Sequence, residues 1–268
     1  YSDGEDREFQ KRFFEVYDNV LRNTVVWPAL GNHEGRMADS KTESGPYYDA
    51  FVLPRGGEAG GLPSGTEAYY AFDYANVHFV VLDSHESDRK TSGPMLTWLA
   101  RDLENTKQDW IIAFWHHPPY SKGTHDSDRE RQLRQMRENA LPILEAAGVD
   151  LVLGGHSHIY ERSFLINGAY ETPTIAANHV LDGNAGAPGK TPYVKPQVRS
   201  EGAVYVVAGH GGAGVRGQNK PHPVMRFSEV ANGSLFLDVQ GRTLVGRNVR
   251  FDGVETDTFA LVKGEDAV

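Results

Sequence analysis

The histidines of this chain gather where apolar runs end. Gly31-Asn32-His33-Glu34 follows the run at 24–30, His116-His117-Pro118-Pro119 follows the run at 110–115, and Gly155-His156-Ser157-His158 follows the run at 149–153. Two histidines at i and i+2 on an extended segment point the same way, so His156 and His158 can face one metal ion or two adjacent ones. Gly154 and Gly155 permit a sharp turn and keep side chains out of a crowded cluster. Asn32 adds a neutral oxygen donor, and donors of these types suit Zn, Fe and Mn. Each motif alone has an ordinary explanation. Gly31-Asn32 can be a turn after a strand, His116 a core histidine, and a single His-x-His is weak evidence. Three successive strand ends carrying Asn-His, His-His and His-x-His are hard to reach by chance.

The elements that must position these residues follow from periodicity. Residues 8–21 carry Phe9, Phe13, Phe14, Val16, Tyr17, Val20 and Leu21 at near-helical spacing, which predicts an amphipathic helix. Residues 24–30 read as a short buried strand ending at Gly31. Residues 35–67 are rich in Gly and Pro and read as a long excursion, a kind of segment that is often functional. Residues 69–83 read as a hairpin turning at Ala75-Asn76. A helix is expected over 94–105, opened by Pro94. Residues 110–115 are apolar throughout and read as a central strand. Residues 128–147 read as helical, interrupted near Pro142 and stopped by Gly148. A second Gly/Pro-rich loop is expected over about 178–202. Strands follow at 203–208, 235–239, 243–251 and 258–262, with a tight turn at Asp252-Gly253. Strand–helix alternation followed by antiparallel strands predicts a mixed α/β sandwich. No repeat or linker divides it, so one domain over 1–268 is expected. In open α/β architectures ligands sit at the carboxyl ends of strands, which draws Asn32, His116, His156 and His158 together.

Composition sets outer bounds. Thirty-nine per cent hydrophobic and 24% charged residues fit a globular chain rather than a disordered one. No stretch approaches the roughly 18 uninterrupted apolar residues of a membrane span. The net charge of −9 argues against a nucleic-acid-binding surface, and an anionic substrate would need local positive charge such as a metal cluster. The chain has no cysteine, which excludes disulfides, thiolate metal sites and cysteine nucleophiles. The opening Tyr1-Ser2-Asp3-Gly4-Glu5-Asp6 is polar and does not read as a signal peptide. No membrane or protein partner is inferred.

In combination, Gly31-Asn32-His33-Glu34, His116-His117-Pro118 and Gly155-His156-Ser157-His158-Ile159-Tyr160-Glu161-Arg162 resemble the later half of the calcineurin-like metallophosphoesterase pattern. The Tyr-Glu-Arg extension and Val204-Tyr205-Val206-Val207-Ala208-Gly209-His210-Gly211-Gly212 resemble the purple acid phosphatase branch. The resemblance implies an α/β/β/α sandwich of two mixed sheets flanked by helices. It implies a binuclear phosphatase that hydrolyses phosphate monoesters by attack of a metal-bound hydroxide, using two ions, Fe with Zn, Mn or a second Fe. Asn32, His116 and His156 match ligands of one ion, and His158 matches a ligand of the other. His33 matches a residue that contacts the phosphoryl group, and His125 falls where this branch often has a substrate-contacting histidine. His117 takes no role. His78, His85, His179, His210 and His222 read as structural or surface groups, with His210 the one to watch. The resemblance favours a phosphorylated small-molecule substrate and a secreted or periplasmic location.

The sequence departs from that family at its start, where two aspartate-bearing strand ends are expected. Tyr1 matches the tyrosine of the second, a ligand of Fe(III) in the purple branch, so the chain reads as truncated ahead of Tyr1 and lacking N-terminal core strands. Two other functions stay open: a phosphodiesterase on nucleotide or lipid substrates with the same fold, and a catalytically inert module that keeps half a cluster.

Overall fold

The computed structural model describes residues 1–175, 178–186, 190–195, 201–217 and 220–264. In chain order its strands are β1 (Tyr70–Tyr74), β2 (Val77–Val81), β3 (Trp110–Trp115), β4 (Leu151–Gly154), β5 (Tyr160–Ser163), β6 (Leu165–Ile166), β7 (Val180–Asp182), β8 (Tyr193–Lys195), β9 (Val204–Ala208), β10 (Met225–Glu229), β11 (Gly233–Gln240), β12 (Thr243–Arg250) and β13 (Glu255–Lys263). Its α-helices are α1 (Asp6–Phe9), α2 (Asp18–Leu21), α3 (Pro46–Ala50), α4 (Pro94–Asn105), α5 (Arg131–Gln135) and α6 (Leu141–Ala146).

Seven strands form one sheet in the order β1-β2-β3-β4-β9-β5-β10. β2, β3, β4 and β9 run parallel, while β1, β5 and β10 pair antiparallel at the flanks. Parallel strands are covered on both faces, which is why β3 is apolar along its whole length. One face carries Val80, Ala113, Val152 and Tyr205, in a core shared with Leu96 and Leu99 of α4 and Leu141 and Leu144 of α6. The other face carries Val77, Trp110, Ile112 and Leu151, in a core shared with Leu244, Phe259 and Leu261. Those last residues belong to a second mixed sheet, β11-β12-β13-β8. Its strands alternate because only one side of them meets the core. In β11, Leu235, Leu237 and Val239 are half-buried and Ser234, Phe236, Asp238 and Gln240 are exposed. The architecture is the expected mixed α/β type, with two sheets packed together and helices against the larger. Among the described residues no helix is long and apolar enough to cross a membrane.

Two buried ion clusters tie the sheets. Arg162 of β5 clamps Asp257 of β13 through Nε at 2.6 Å and Nη2 at 2.8 Å, and Tyr160 donates to the same carboxylate at 2.9 Å. Tyr160 and Arg162 share the inter-sheet face because side chains alternate along a strand, which sends Glu161 to the opposite face. Asp150, at the start of β4, meets Lys195 of β8 at 2.9 Å and also Lys263 of β13.

Four expectations change. Residues 24–30 are extended but belong to no strand, because no segment among the described residues pairs with them. Among the described residues, only the Pro28 carbonyl of this run is taken, by the hydroxyls of Tyr47 and Tyr70. The helix expected over 8–21 is a broken run, α1, a π turn at Gln10–Phe14, then α2. Its inner end buries Phe9, whereas Val16 and Val20 stay more than half exposed. The helix expected from residue 128 starts at Arg131 and changes to a π turn at Met136–Ala140 before α6. Pro142 has no N–H to give the carbonyl four residues back, so the α pattern loosens there. The loop expected over 178–202 contains β7 and β8, and residues 187–189 and 196–200 of it lie outside the described residues.

Candidate metal centre

β3 and β4 set the level of the site. Trp115 lies opposite Gly154, and the pairing runs one step further, with the Gly155 N–H donating to the His116 carbonyl at 2.9 Å. His116 and His156 therefore leave neighbouring strands side by side. The backbone of His156 is left-handed, φ +60°, a conformation few side chains adopt. It sits in a tight turn in which the Ser157 N–H reaches the Gly155 carbonyl at 2.6 Å. Asn32 arrives from the other side, just after Gly31. A Cβ at Gly31 would lie 2.7 Å from His116 Nδ1, so only glycine lets this segment approach the ring.

Three donor atoms converge as a result. His116 Nε2 lies 2.6 Å from Asn32 Oδ1 and 3.1 Å from His156 Nδ1, and His156 Nδ1 lies 3.1 Å from Asn32 Oδ1. A proton on one ring nitrogen satisfies only part of this triangle, whereas a cation at its centre satisfies all three atoms. Ligands about 2.0–2.1 Å from one ion are spaced in this way. Burial, reinforced by His156, holds the His116 pKa well below its ordinary value. Burial and then His125 pull His156 down to about 4. Both rings thus present the neutral imidazole that metal binding requires. The donor set fits a metal ion.

The structure distributes the other expected residues around this triangle. The His125 ring centroid lies 3.7 Å from that of His156 with the planes tilted by 30°, and its Nδ1 is 2.9 Å from both carboxylate oxygens of Glu130. Glu130 also reaches within 3.5 Å of His156 Nε2. His33 donates from Nδ1 to the Ser2 carbonyl at 2.6 Å. His158 is half-buried, its backbone N–H on Thr124 Oγ1 at 2.9 Å. Burial, then His125, lowers its pKa. Tyr1 is engaged by Glu34, whose other oxygen accepts the Gly31 N–H at 2.9 Å. Burial and this carboxylate push the Tyr1 hydroxyl above its ordinary pKa and keep it protonated.

Several participants escaped the sequence reading. His117 had no assigned role, yet its ring lies 4.5 Å from His156 and 4.9 Å from His116. One ligand atom of each of these three histidines lies within 4.8 Å of the others. Its Nδ1 meets Ser84 Oγ at 2.9 Å, a partner that follows β2, the next parallel strand, and so could be found from topology. Glu130 shares a second such group with His125 and His156, and no spacing in the sequence announces it. His210 proves to be a structural group, its Nε2 donating to Asn248 at 2.8 Å. Gly154 does not make room for the cluster, since a Cβ there would meet Pro118 at 2.8 Å.

A mixed α/β sandwich with imidazole donors at the carboxyl ends of parallel strands and an amide donor brought beside them fits the framework of a metal-dependent phosphoesterase. The model of the calcineurin-like phosphoesterase family matches residues 1–160, and the chain belongs to that family. Within it the chain is close to the purple acid phosphatases. It is 32% identical over 183 residues to purple acid phosphatase 15 of Arabidopsis thaliana, covering 67% of this chain and 32% of that one. It is 30% identical over 260 residues to purple acid phosphatase 1 of Ipomoea batatas, covering 91% and 49%. The chain thus spans half or less of the length of these relatives. A solved purple acid phosphatase, PPD1 from yellow lupin (Lupinus luteus) seeds, shares the fold with a TM-score of 0.59 at 20% identity, over 80% of this chain and 39% of that one.

Proposed function

We propose that the protein is a binuclear metal phosphatase acting on phosphate monoesters, and the observation that carries this is the convergence of Asn32, His116 and His156 at 2.6–3.1 Å. Those three residues would hold one ion, and His158 with Tyr1 would contribute to a second, iron being the expected partner of zinc, manganese or another iron. The ions, when bound, supply positive charge to phosphoryl oxygens and make water acidic enough to attack. The chain's own groups orient the rest. Glu130 accepts from His125 Nδ1, so a proton passed from Nε2 to a departing alkoxide would come from the doubly protonated, cationic ring, which returns to the neutral Nδ1–H form. The Ser2 carbonyl fixes His33 in the same manner, so its Nε2 would donate to a phosphoryl oxygen in the doubly protonated, cationic form of the ring. With a net charge of −9, long-range attraction of a phosphate is absent, and recognition falls to the metal centre.

The test is metal analysis of the full-length gene product together with hydrolysis of an aryl phosphate monoester and a bis-aryl diester across pH. The monoester should turn over faster, and stoichiometric metal should be present. No turnover of either compound despite two bound ions would end the phosphatase reading, and preference for the diester would redirect it to phosphodiester substrates.

A further inference from the structure

Glu161 is fully buried in β5, on the face of the strand away from Tyr160 and Arg162, so it takes no part in the ion cluster that ties the two sheets. Among the described residues it forms no ion pair. Lys122, whose N–H it accepts, gives its ammonium to Asp126 and, at 3.0 Å, to Asp128. A buried carboxylate without a cation is costly unless hydrogen bonds take the cation's place. Two of those that reach Glu161 come from one loop. Ser121 Oγ lies 2.6 Å from Oε2, and the Lys122 nitrogen lies 3.4 Å from Oε1.

That loop, residues 121–127, carries His125. Its neck is closed by two serines, with the Ser121 N–H on Ser127 Oγ at 3.1 Å and the Ser127 N–H on the Ser121 carbonyl at 3.1 Å. Its tip rests on the turn that holds His156 and His158. A Cβ at Gly123 would lie 2.4 Å from both Ser157 Oγ and Ile159 Cγ2, so only glycine permits the approach. Thr124 Oγ1 accepts the His158 N–H, Ser157 Oγ lies 2.7 Å from Ser121 Oγ, and the His125 N–H meets Ser157 Oγ at 3.4 Å.

Hydroxyl protons give these contacts a direction. Ser121 has one proton and two oxygens within reach, Ser157 Oγ and Glu161 Oε2. A carboxylate only accepts, so the Ser121 proton goes to Glu161 and Ser157 donates to Ser121. The lone pairs left on Ser157 Oγ then face the His125 N–H. Ser121, Ser157 and Glu161 are all fully buried, where a reversed or missing partner is costly.

We infer that Glu161 is a positioning residue for His125: through Ser121 and Ser157 it fixes the 121–127 loop over the metal-facing turn, and with it the place from which the imidazole meets a leaving group. For its kinetic consequence this rests on the phosphatase reading. Glu161→Gln keeps the volume but turns one acceptor into a donor. Its amide either opposes the Lys122 N–H or makes Ser121 donate to Ser157, and both loosen the attachment of the loop. Ser121→Ala breaks the same chain by deleting a single hydroxyl, and it decides the matter if Glu161→Gln does not fold.

The test compares wild type, Glu161→Gln, Ser121→Ala and His125→Ala in the full-length gene product with its metal. Two esters are used: an alkyl phosphate, whose alkoxide needs a proton to depart, and 4-nitrophenyl phosphate, whose phenoxide does not. Glu161→Gln and Ser121→Ala should keep the metal content of wild type. They should lower kcat for the alkyl ester about 10- to 100-fold and for the nitrophenyl ester less than about 3-fold. Neither should add to the loss already caused by His125→Ala. Equal losses on both esters, losses that add to that of His125→Ala, or wild-type kinetics in both variants would overturn the inference.

Amide exchange of the same proteins is independent of turnover. The His125 N–H should exchange at least about 10-fold faster in Glu161→Gln and Ser121→Ala, while amides of β4 and β9 keep their wild-type protection. Unchanged exchange at His125 would also overturn the inference. A wild type that hydrolyses neither ester would end the phosphatase reading, and exchange alone would then decide whether Glu161 holds the loop.

Discussion

Arg22 grips Asp18 through Nε at 3.2 Å and Nη2 at 2.6 Å, and Arg162 grips Asp257 at 2.6 and 2.8 Å. The two pairs have the same chemistry and nearly the same geometry in opposite surroundings. Side-chain exposure is 69% and 54% in the first pair and 1% and 0% in the second. The first joins one turn of α2 to itself, and the second joins two sheets across 95 positions of sequence. The contrast extends to the regions that hold them. From β1 onward the chain is bound by long-range pairing and two buried cores. The first thirty residues are held by buried Phe9 and Leu30, by Phe14, Trp27 and Ala29 packed against the core, and by a few polar contacts, without strand pairing among the described residues. The metal centre straddles this boundary, with His116 and His156 on the bound side and Asn32 at the tip of the looser one.

Breaking the buried pair should have the largest effect. Asp257→Ala leaves the Arg162 guanidinium buried and unpaired, and urea unfolding should show a loss of about 3–5 kcal/mol. The next effect separates the donors. His116→Ala should weaken binding of Zn or Mn by more than about 100-fold. Asn32→Ala, which removes a neutral donor from a looser segment, should weaken it by about 10- to 100-fold, the range seen when groups supporting a metal site are lost. Competition titration with a chelator measures both, and equal losses would show that the two sides of the site are equally firm.

A smaller effect comes from His78, which bridges Asp73 at 2.7 Å and Asp102 at 2.8 Å. Burial pulls its pKa down, but the two carboxylates, Asp102 foremost, outweigh burial and raise it. A raised folded-state pKa stabilises fully below the unfolded value near 6.5. That contribution is lost as pH rises through the folded value. Unfolding measured from pH 5 to 9 should therefore show a decline above pH 6.5 that His78→Gln flattens. The smallest change is expected at the exposed pair, where Asp18→Ala should cost under about 0.5 kcal/mol. A larger loss there would mean that the N-terminal run is held more cooperatively than its contacts indicate.

The parts of the molecule legible in the sequence are those whose signal is local. β3 announces itself by six apolar residues, α4 by Pro94 and its periodicity, and the hairpin of β1 and β2 by its turn at Ala75. The strand-end histidines were legible because glycine and proline bracket them. β5 was not, since Tyr160, Glu161, Arg162 and Ser163 are buried through partners rather than by being apolar. Nor was β8, whose Lys195 is buried against Asp150. Residues 24–30 show the converse. Their composition favours a strand, yet a strand exists only with a neighbour, and propensity carries no information about whether one is present. Glu130 and Glu34 illustrate a third limit, because a carboxylate that steadies a ring or a hydroxyl looks no different in sequence from one on a solvated face.

The hydrogen bond from Gly155 to the His116 carbonyl has a consequence for how such a protein can change. It makes the separation of the two imidazole-bearing positions a spacing of the sheet, set by neighbouring strands about 4.8 Å apart, and not by the chain between them. Exposed loop positions between β3 and β4 can therefore vary in length without moving the pair, provided that the two strands stay in register and His117, Leu141 and Leu144 keep their buried places. Variation in those loops, which carry His125 and Glu130, would change the surroundings of the proposed site while His116 and His156 keep their places.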